Sequence, residues 1–206
     1  MKLTKYTHAC VRLEKDGKVL VIDPGIWTEP EALDDADAVL ITHEHFDHLN
    51  ADLLDTLMMP VWTNAGAADE LRKLGDRVSV VAAGDSFEAA GFSVRVFGTD
   101  HAMILPELGV PCRNTAFLVE DAVYHPGDSW TRPNRAVHTN LVPVSAPWHV
   151  MAEAVSYVRS VDAEQTIGIH DGLLNERGLQ LGRNWLGNYG GKPYRPLAPG
   201  GSLHID

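Results

Sequence analysis

The chain has 206 residues, 45% of them apolar and 22% charged, with a formal net charge of −11. A chain of that length buries about 70% of its unfolded surface, so the composition excludes a disordered chain and predicts one domain over 1–206. The acidic balance opposes nucleic-acid phosphates and anionic membranes, which leaves a small molecule as the expected partner and a homo-oligomer open.

The first ten residues, MKLTKYTHAC, contain no apolar run and do not read as a signal peptide. Runs such as Val19 to Ile22 are too short to span a bilayer. Cys10 and Cys112 are the only cysteines, and without an export signal the expected setting is cytoplasmic, with reduced thiols.

The first quarter predicts short strands over Lys2–Thr7, Cys10–Glu14 and Lys18–Asp23, with Asp16-Gly17 as a hairpin turn. Asp23-Pro24-Gly25 stops the third. Ala38–Thr42 reads as a buried strand that delivers His43. A helix follows over Asn50–Leu57 with Asn50 as its N-cap. Val61–Thr63 is a strand, and Ala65–Leu74 a helix ended by Gly75. Strands recur over Val78–Val81, Ser86–Ala89, Phe92–Phe97, Thr115–Glu120 and Ala122–Tyr124. The second half alternates strand Leu141–Val144, helix Val150–Ser160, strand Thr166–Ile169 and helix Asn175–Leu186. A Gly- and Pro-rich loop precedes a last strand, Ser202–Ile205. Strands first, then strand-helix alternation, predict sheets covered by outer helices, in the α/β (α+β) class.

The chemistry concentrates in His43-Glu44-His45-Phe46-Asp47-His48. At an extended strand end, side chains two apart point the same way, so His43 and His45 reach one metal ion. Asp47 and His48 come where the chain turns toward a helix and face a second ion beside the first. Imidazole and carboxylate are the ligands zinc takes. Two adjacent ions clamp the attacking and leaving oxygens of a hydrolysis.

This run resembles the His-x-His-x-Asp-His signature of the metallo-β-lactamase superfamily. Val21-Ile22-Asp23-Pro24-Gly25 resembles the family's early Asp-Pro-Gly element. Thr99-Asp100-His101-Ala102 resembles the segment of its third histidine. Tyr124-His125-Pro126-Gly127-Asp128-Ser129 resembles its bridging-aspartate element, and Ile169-His170-Asp171 its late histidine. The order along the chain matches too. The resemblance implies a four-layer αββα sandwich. It also implies His43, His45 and His101 at metal one, Asp47, His48 and His170 at metal two, and Asp128 bridging.

His48 is present and neither cysteine falls at a ligand position, unlike the zinc β-lactamases that use cysteine. The chain is short for a glyoxalase-II-like helical domain, and ribonuclease branches need RNA-binding arms. The pattern is most similar to the small ascorbate-6-phosphate lactonase-like branch and to uncharacterised bacterial relatives. Tyr6-Thr7-His8-Ala9 resembles that branch's start, while Ala146-Pro147-Trp148-His149 departs from its glycine-rich turn. The implied activity is metal-dependent hydrolysis of a small-molecule ester, lactone or phosphoester by a hydroxide between two divalent ions. Zinc is the first expectation, with manganese or iron next. Asp47 and Asp128 would be the catalytic carboxylates. The rivals are an iron-dependent oxidoreductase of the same fold and a non-catalytic metal-binding domain.

Around this set, Asp23 and Asp100 are candidates to hold metal-bound imidazoles, though Asp100 also reads as a turn residue. His8 either lines the pocket or lies on the sheet surface. Trp148 and His149 follow a strand toward the mouth, where Trp148 either stacks on substrate or packs beneath the next helix. Met103 to Asn114 is a candidate lid. Its Arg113 either grips an anionic group or faces solvent. His125, His138 and His204 are unassigned.

Overall fold

The computed structural model describes residues 1–205. Strands β1 (Lys2–Lys5), β2 (Val11–Lys15) and β3 (Lys18–Ile22) form an antiparallel meander. β4 (Ala38–Leu40), β5 (Val61–Thr63) and β6 (Val78–Val80) then extend the sheet in parallel. A second sheet begins with β7 (Ser86–Ala89), β8 (Phe92–Phe97), β9 (Ala116–Val119) and β10 (Val123–His125), all antiparallel. It continues in parallel with β11 (Val137–Pro143) and β12 (Ala163–Ile169). Finally β13 (Ser202–His204) returns to pair with β1, giving sheets of seven and six strands.

Period-2 alternation divides these strands between cores. Leu20, Ile22, Ala38 and Leu40 point inward and meet Phe92, Val94, Phe117, Val119 and Ile167 of the opposite sheet. Their neighbours Val19, Val21, Val39 and Ile41 point outward. There they pack under helices α1 (Ala51–Asp55) and α2 (Ala65–Glu70) through Leu54 and Ala67. Ala116, Leu118 and Val142 face out of the second sheet. They pack beneath α3 (Met151–Ser160) and α4 (Glu176–Tyr189) through Val155, Val158 and Leu186. Helix, sheet, sheet, helix is the four-layer arrangement expected. Each fully buried aliphatic or Phe side chain contributes about 1.5–3 kcal/mol. Among the described residues no helix is long and apolar enough to cross a membrane.

Several elements depart from expectation: β1 ends at Lys5 rather than Thr7, β4 at Leu40 rather than Thr42, and β12 begins at Ala163 rather than Thr166, and two further differences change the packing. The helix predicted over Ala65–Leu74 stops at Glu70 and tightens into a 3-10 turn, Arg72–Arg77, with Gly75 at φ 57°. The tighter winding eclipses side chains three apart. It sets both Leu71 and Leu74 into the outer core. β11 starts at Val137, not Leu141. His138, Thr139 and Asn140 interrupt the apolar run, yet Gln165 donates to Thr139 (3.0 Å) and Tyr157 to Asn140 (3.0 Å), so the Thr139 hydroxyl and the Asn140 carbonyl are buried with partners while His138 is half-buried.

Candidate metal centre

The loops leaving β1, β3, β4, β8, β10, β11 and β12 meet at one edge of the sandwich, stitched by backbone hydrogen bonds. Thr115 N–H donates to Thr42 O (2.8 Å), Ala102 N–H to Asp128 O (2.8 Å) and His170 N–H to His8 O (2.9 Å). Buried Lys5 reaches Asp171 (2.9 Å) and ties the ends of β1 and β12 together. Gly25 lets the Asp-Pro-Gly turn touch the motif loop, since a Cβ there would lie 2.0 Å from Asp47 O.

Two groups of side chains result. His43, His45, His101 and Asp128 each offer a ligand atom within 4.8 Å of the others, and so do His8, Asp47, His48 and His170. Asp128 joins the groups. Its Oδ1 is 3.1 Å from His48 Nε2, and its Oδ2 is 3.0 Å from His170 Nε2 and 3.4 Å from His101 Nε2. The structure thus brings all seven expected ligands together.

Protons decide what these atoms can do. Thr42 Oγ1 gives its only hydrogen to Asp23 Oδ2 (2.6 Å), so at 3.0 Å it accepts from His43 Nδ1–H. His48 Nδ1–H donates to Asp23 Oδ2 (2.7 Å) and His101 Nδ1–H to Ala102 O (2.6 Å). In all three rings Nδ1 is committed and Nε2 faces the centre. Among the described residues, Nε2 of His48, His101 and His170 and Oδ1 of Asp128 are buried without a hydrogen-bond partner. Buried acceptors aimed at one another are costly unless a cation lies between them. Imidazole nitrogens with carboxylates suit zinc, manganese or iron, so the residues present fit a pair of divalent ions.

Burial and the facing carboxylates set the charges of these groups. Burial holds His43 well below the ordinary imidazole range, and His48 beside it adds to the effect. Burial also acts to lower His45, helped by His101. For His48 burial is outweighed by Asp128 and Asp23, which hold it well above that range. Burial of Asp128 is outweighed by His48 and His170, which keep its carboxyl well below normal. Asp47, despite burial, is lowered to about 2 by His8, His48 and His170.

The surrounding candidates separate. Asp23, fully buried, takes Thr42 N–H (2.7 Å), Thr42 Oγ1–H and His48 Nδ1–H, so it orients a ligand. Asp100 does not hold His101. It is exposed and accepts from Thr99 Oγ1 (2.9 Å). The bridge between Asp100 and Arg113 is extended, so successive side chains alternate and His101 turns inward as Asp100 turns out. Arg113 faces a separate cavity of about 200 Å³ lined by Asn64, Thr99 and Thr115, and by none of the ligand candidates. Trp148 is buried, and its indole N–H bonds Asp128 Oδ2. His149 is half-buried beside Trp130. His8 is buried against Asp47 (3.0 Å). The 103–114 segment is closed at its base by His101 N–H to Cys112 O (3.1 Å) and Asn114 N–H to Thr99 O (3.2 Å).

Sequence reasoning missed three supports. Asn114 Oδ1 accepts Asp128 N–H (2.9 Å) and fixes the backbone of the residue that joins the two groups. His125 donates to Ala9 O (2.9 Å) and accepts from Gly127 N–H (3.1 Å), which ties the Gly-Asp element to the β1–β2 loop. Cys112 Sγ lies 3.9 Å from His45 Nε2. Only the Asn, His and Cys residue types could have flagged them.

Residues 2–170 match the sequence profile of the β-lactamase superfamily domain. The chain belongs to the β-lactamase superfamily. Within it, Protein Rv0786c of Mycobacterium tuberculosis is 33% identical over 193 residues, covering 89% of this chain and 91% of that protein. A UPF0173 metal-dependent hydrolase of Methanoregula boonei is 36% identical over 135 residues, 63% of this chain and 60% of its own. Igni18, a novel metallo hydrolase from Ignicoccus hospitalis, has a similar fold. Its TM-score is 0.76 at 18% identity, covering 100% of this chain and 99% of that one.

Proposed function

We propose that this superfamily member is a metal-dependent hydrolase holding two divalent ions, zinc first and manganese or iron next. The observation that carries this reading is the convergence of the buried, unpartnered Nε2 atoms of His48, His101 and His170 on Asp128, with the Nδ1 atoms of His48 and His101 committed elsewhere. His43, His45 and His101 would hold one ion, Asp47, His48 and His170 the other, with Asp128 shared. Bound ions of this kind lower the pKa of water from 15.7 toward about 7 and polarise a carbonyl or phosphoryl oxygen. Asp47, ionised above about pH 2, would help orient the attacking water. Trp148 and Asn114 hold Asp128 in place. The names of the Methanoregula and Ignicoccus relatives support the same activity.

The substrate would be a small ester, lactone or phosphoester. Ile26, Phe46, Met103, Leu108, Val150 and Leu173 are exposed next to the ligand segments, which favours a substrate with an apolar part. The test is stripped protein reloaded with zinc, manganese or iron, then assayed on p-nitrophenyl esters of rising acyl length, lactones and bis-p-nitrophenyl phosphate. Turnover that needs metal and disappears in His45→Ala is expected. Full activity in that variant defeats the site. Oxygen consumption by the iron form without hydrolysis marks an oxidoreductase instead.

A further inference from the structure

His8 belongs by position to the second group, with a ring nitrogen within 4.8 Å of the ligand atoms of Asp47, His48 and His170. Its proton, however, sits opposite to those of His43, His48 and His101. Gly172 N–H points at His8 Nδ1 across 3.1 Å. A backbone N–H only donates, so Nδ1 carries the lone pair and Nε2 the hydrogen. That Nε2 lies 3.0 Å from Asp47 Oδ2 and donates to it. It has no lone pair left for a cation.

The ring is fixed on every side. Trp27 packs edge-on at a centroid distance of 4.8 Å, and the His170 ring lies at 3.9 Å. A Cβ on residue 172 would come 3.1 Å from Nδ1, so glycine there keeps the N–H in line. The backbone holds His8 at φ 69° and His170 at φ 59°, a left-handed region that non-glycine residues seldom occupy. The His170 N–H to His8 O bond (2.9 Å) locks these two turns together.

We propose that His8 is a positioning residue: its Nε2–H fixes the Asp47 carboxylate toward the second ion, and His8 is not itself a ligand. This rests on the two-ion reading but is tested apart from turnover. The experiment is imidazole nitrogen NMR on metal-free and cadmium-loaded protein, with rings assigned through bonds from the backbone. The Nε2-protonated tautomer of His8 is expected in both states. Cadmium–nitrogen couplings should appear at His48 and His170 and be absent at His8. A coupling at His8, or an Nδ1-protonated ring, overturns the proposal. His8→Asn, a side chain tolerant of positive φ, should still take two cadmium ions by equilibrium dialysis, with the weaker one held about 10–100-fold less tightly. Binding of one ion, or unchanged affinity, also overturns it. If wild-type protein takes no cadmium, the two-ion reading fails, while the metal-free spectrum still decides the His8 tautomer.

Discussion

Trp148 donates its indole N–H to Asp128 Oδ2 across 3.2 Å, with both side chains buried. The same oxygen lies 3.0 Å from His170 Nε2, so the indole sets the angle of the carboxylate that joins the two groups of candidate ligands. Trp148→Phe keeps most of the packing against Trp130 and removes the donor. We expect metal affinity to fall about 10–100-fold with little change in fold, as for other groups that hold metal ligands. A competition titration with a chromogenic chelator reads this directly. Wild-type affinity in the variant would show that the indole bond does not matter.

Asp23 carries a heavier structural duty. Asp23→Ala leaves Thr42 N–H, Thr42 Oγ1–H and His48 Nδ1–H without their acceptor in a fully buried place. Loss of one partner from such a network costs about 3–5 kcal/mol. A lower urea midpoint with an unchanged slope is expected for the metal-free variant. Asp23→Asn keeps one acceptor oxygen and should lose less. Equal stability of Asp23→Ala and wild type would refute the network.

Acid should destabilise the metal-free protein early. Burial is the leading cause that lowers His8, His43, His45, His125 and His149 below 6.5. The unfolded chain therefore binds protons first as pH falls. Their contribution is fully present above 6.5 and is lost below it. His48, raised by Asp128 and Asp23 against its burial, runs the other way: its contribution is present below 6.5 and lost as pH rises through its folded value. Five groups oppose one. The melting temperature of stripped protein, followed from about pH 8 to pH 5, should drop below pH 6.5. A flat or rising profile would contradict these buried neutral rings.

The motif at 43–48 was legible because its four candidate ligands lie on one short stretch, although β4 ends at Leu40 and the bends of the following loop, not strand periodicity, bring His43 and His45 together. His101, Asp128 and His170 had no such local signal. Only the family resemblance named them, and loops from separate strands bring them within reach of the motif. Asp100 shows the limit of adjacency, since neighbours on extended chain face opposite ways. Trp148 shows another limit. Its aromatic character allowed either stacking or packing, and the bond to Asp128 depends on how the loops after β10 and β11 meet. The outline of the layers was legible from alternating apolar residues. The start of β11 was not, because buried Thr139 and Asn140 read as loop until their partners on β12 and α3 are known.

Gly25 offers the sharpest separation of site from fold. A Cβ there would stand 2.0 Å from Asp47 O, 2.2 Å from Asp47 C and 2.8 Å from His48 N. All are backbone atoms, so no rotamer change relieves the overlap. Gly25→Ala must push residues 46–48 away, against the Ile26 N–H to Phe46 O bond (2.9 Å) that clamps the two loops. Overpacking of this kind costs about 1–3 kcal/mol, too little to unfold a chain with three apolar cores. It displaces Asp47 and His48 by more than a metal bond tolerates. We expect a folded variant by circular dichroism that binds one ion where wild type binds two. Gly187→Ala, on α4 with nothing within 4 Å, is the matched control and should gain up to about 1 kcal/mol of helix stability. If Gly25→Ala holds both ions at wild-type affinity, the second ion does not depend on the placement of Asp47 and His48 and must sit elsewhere.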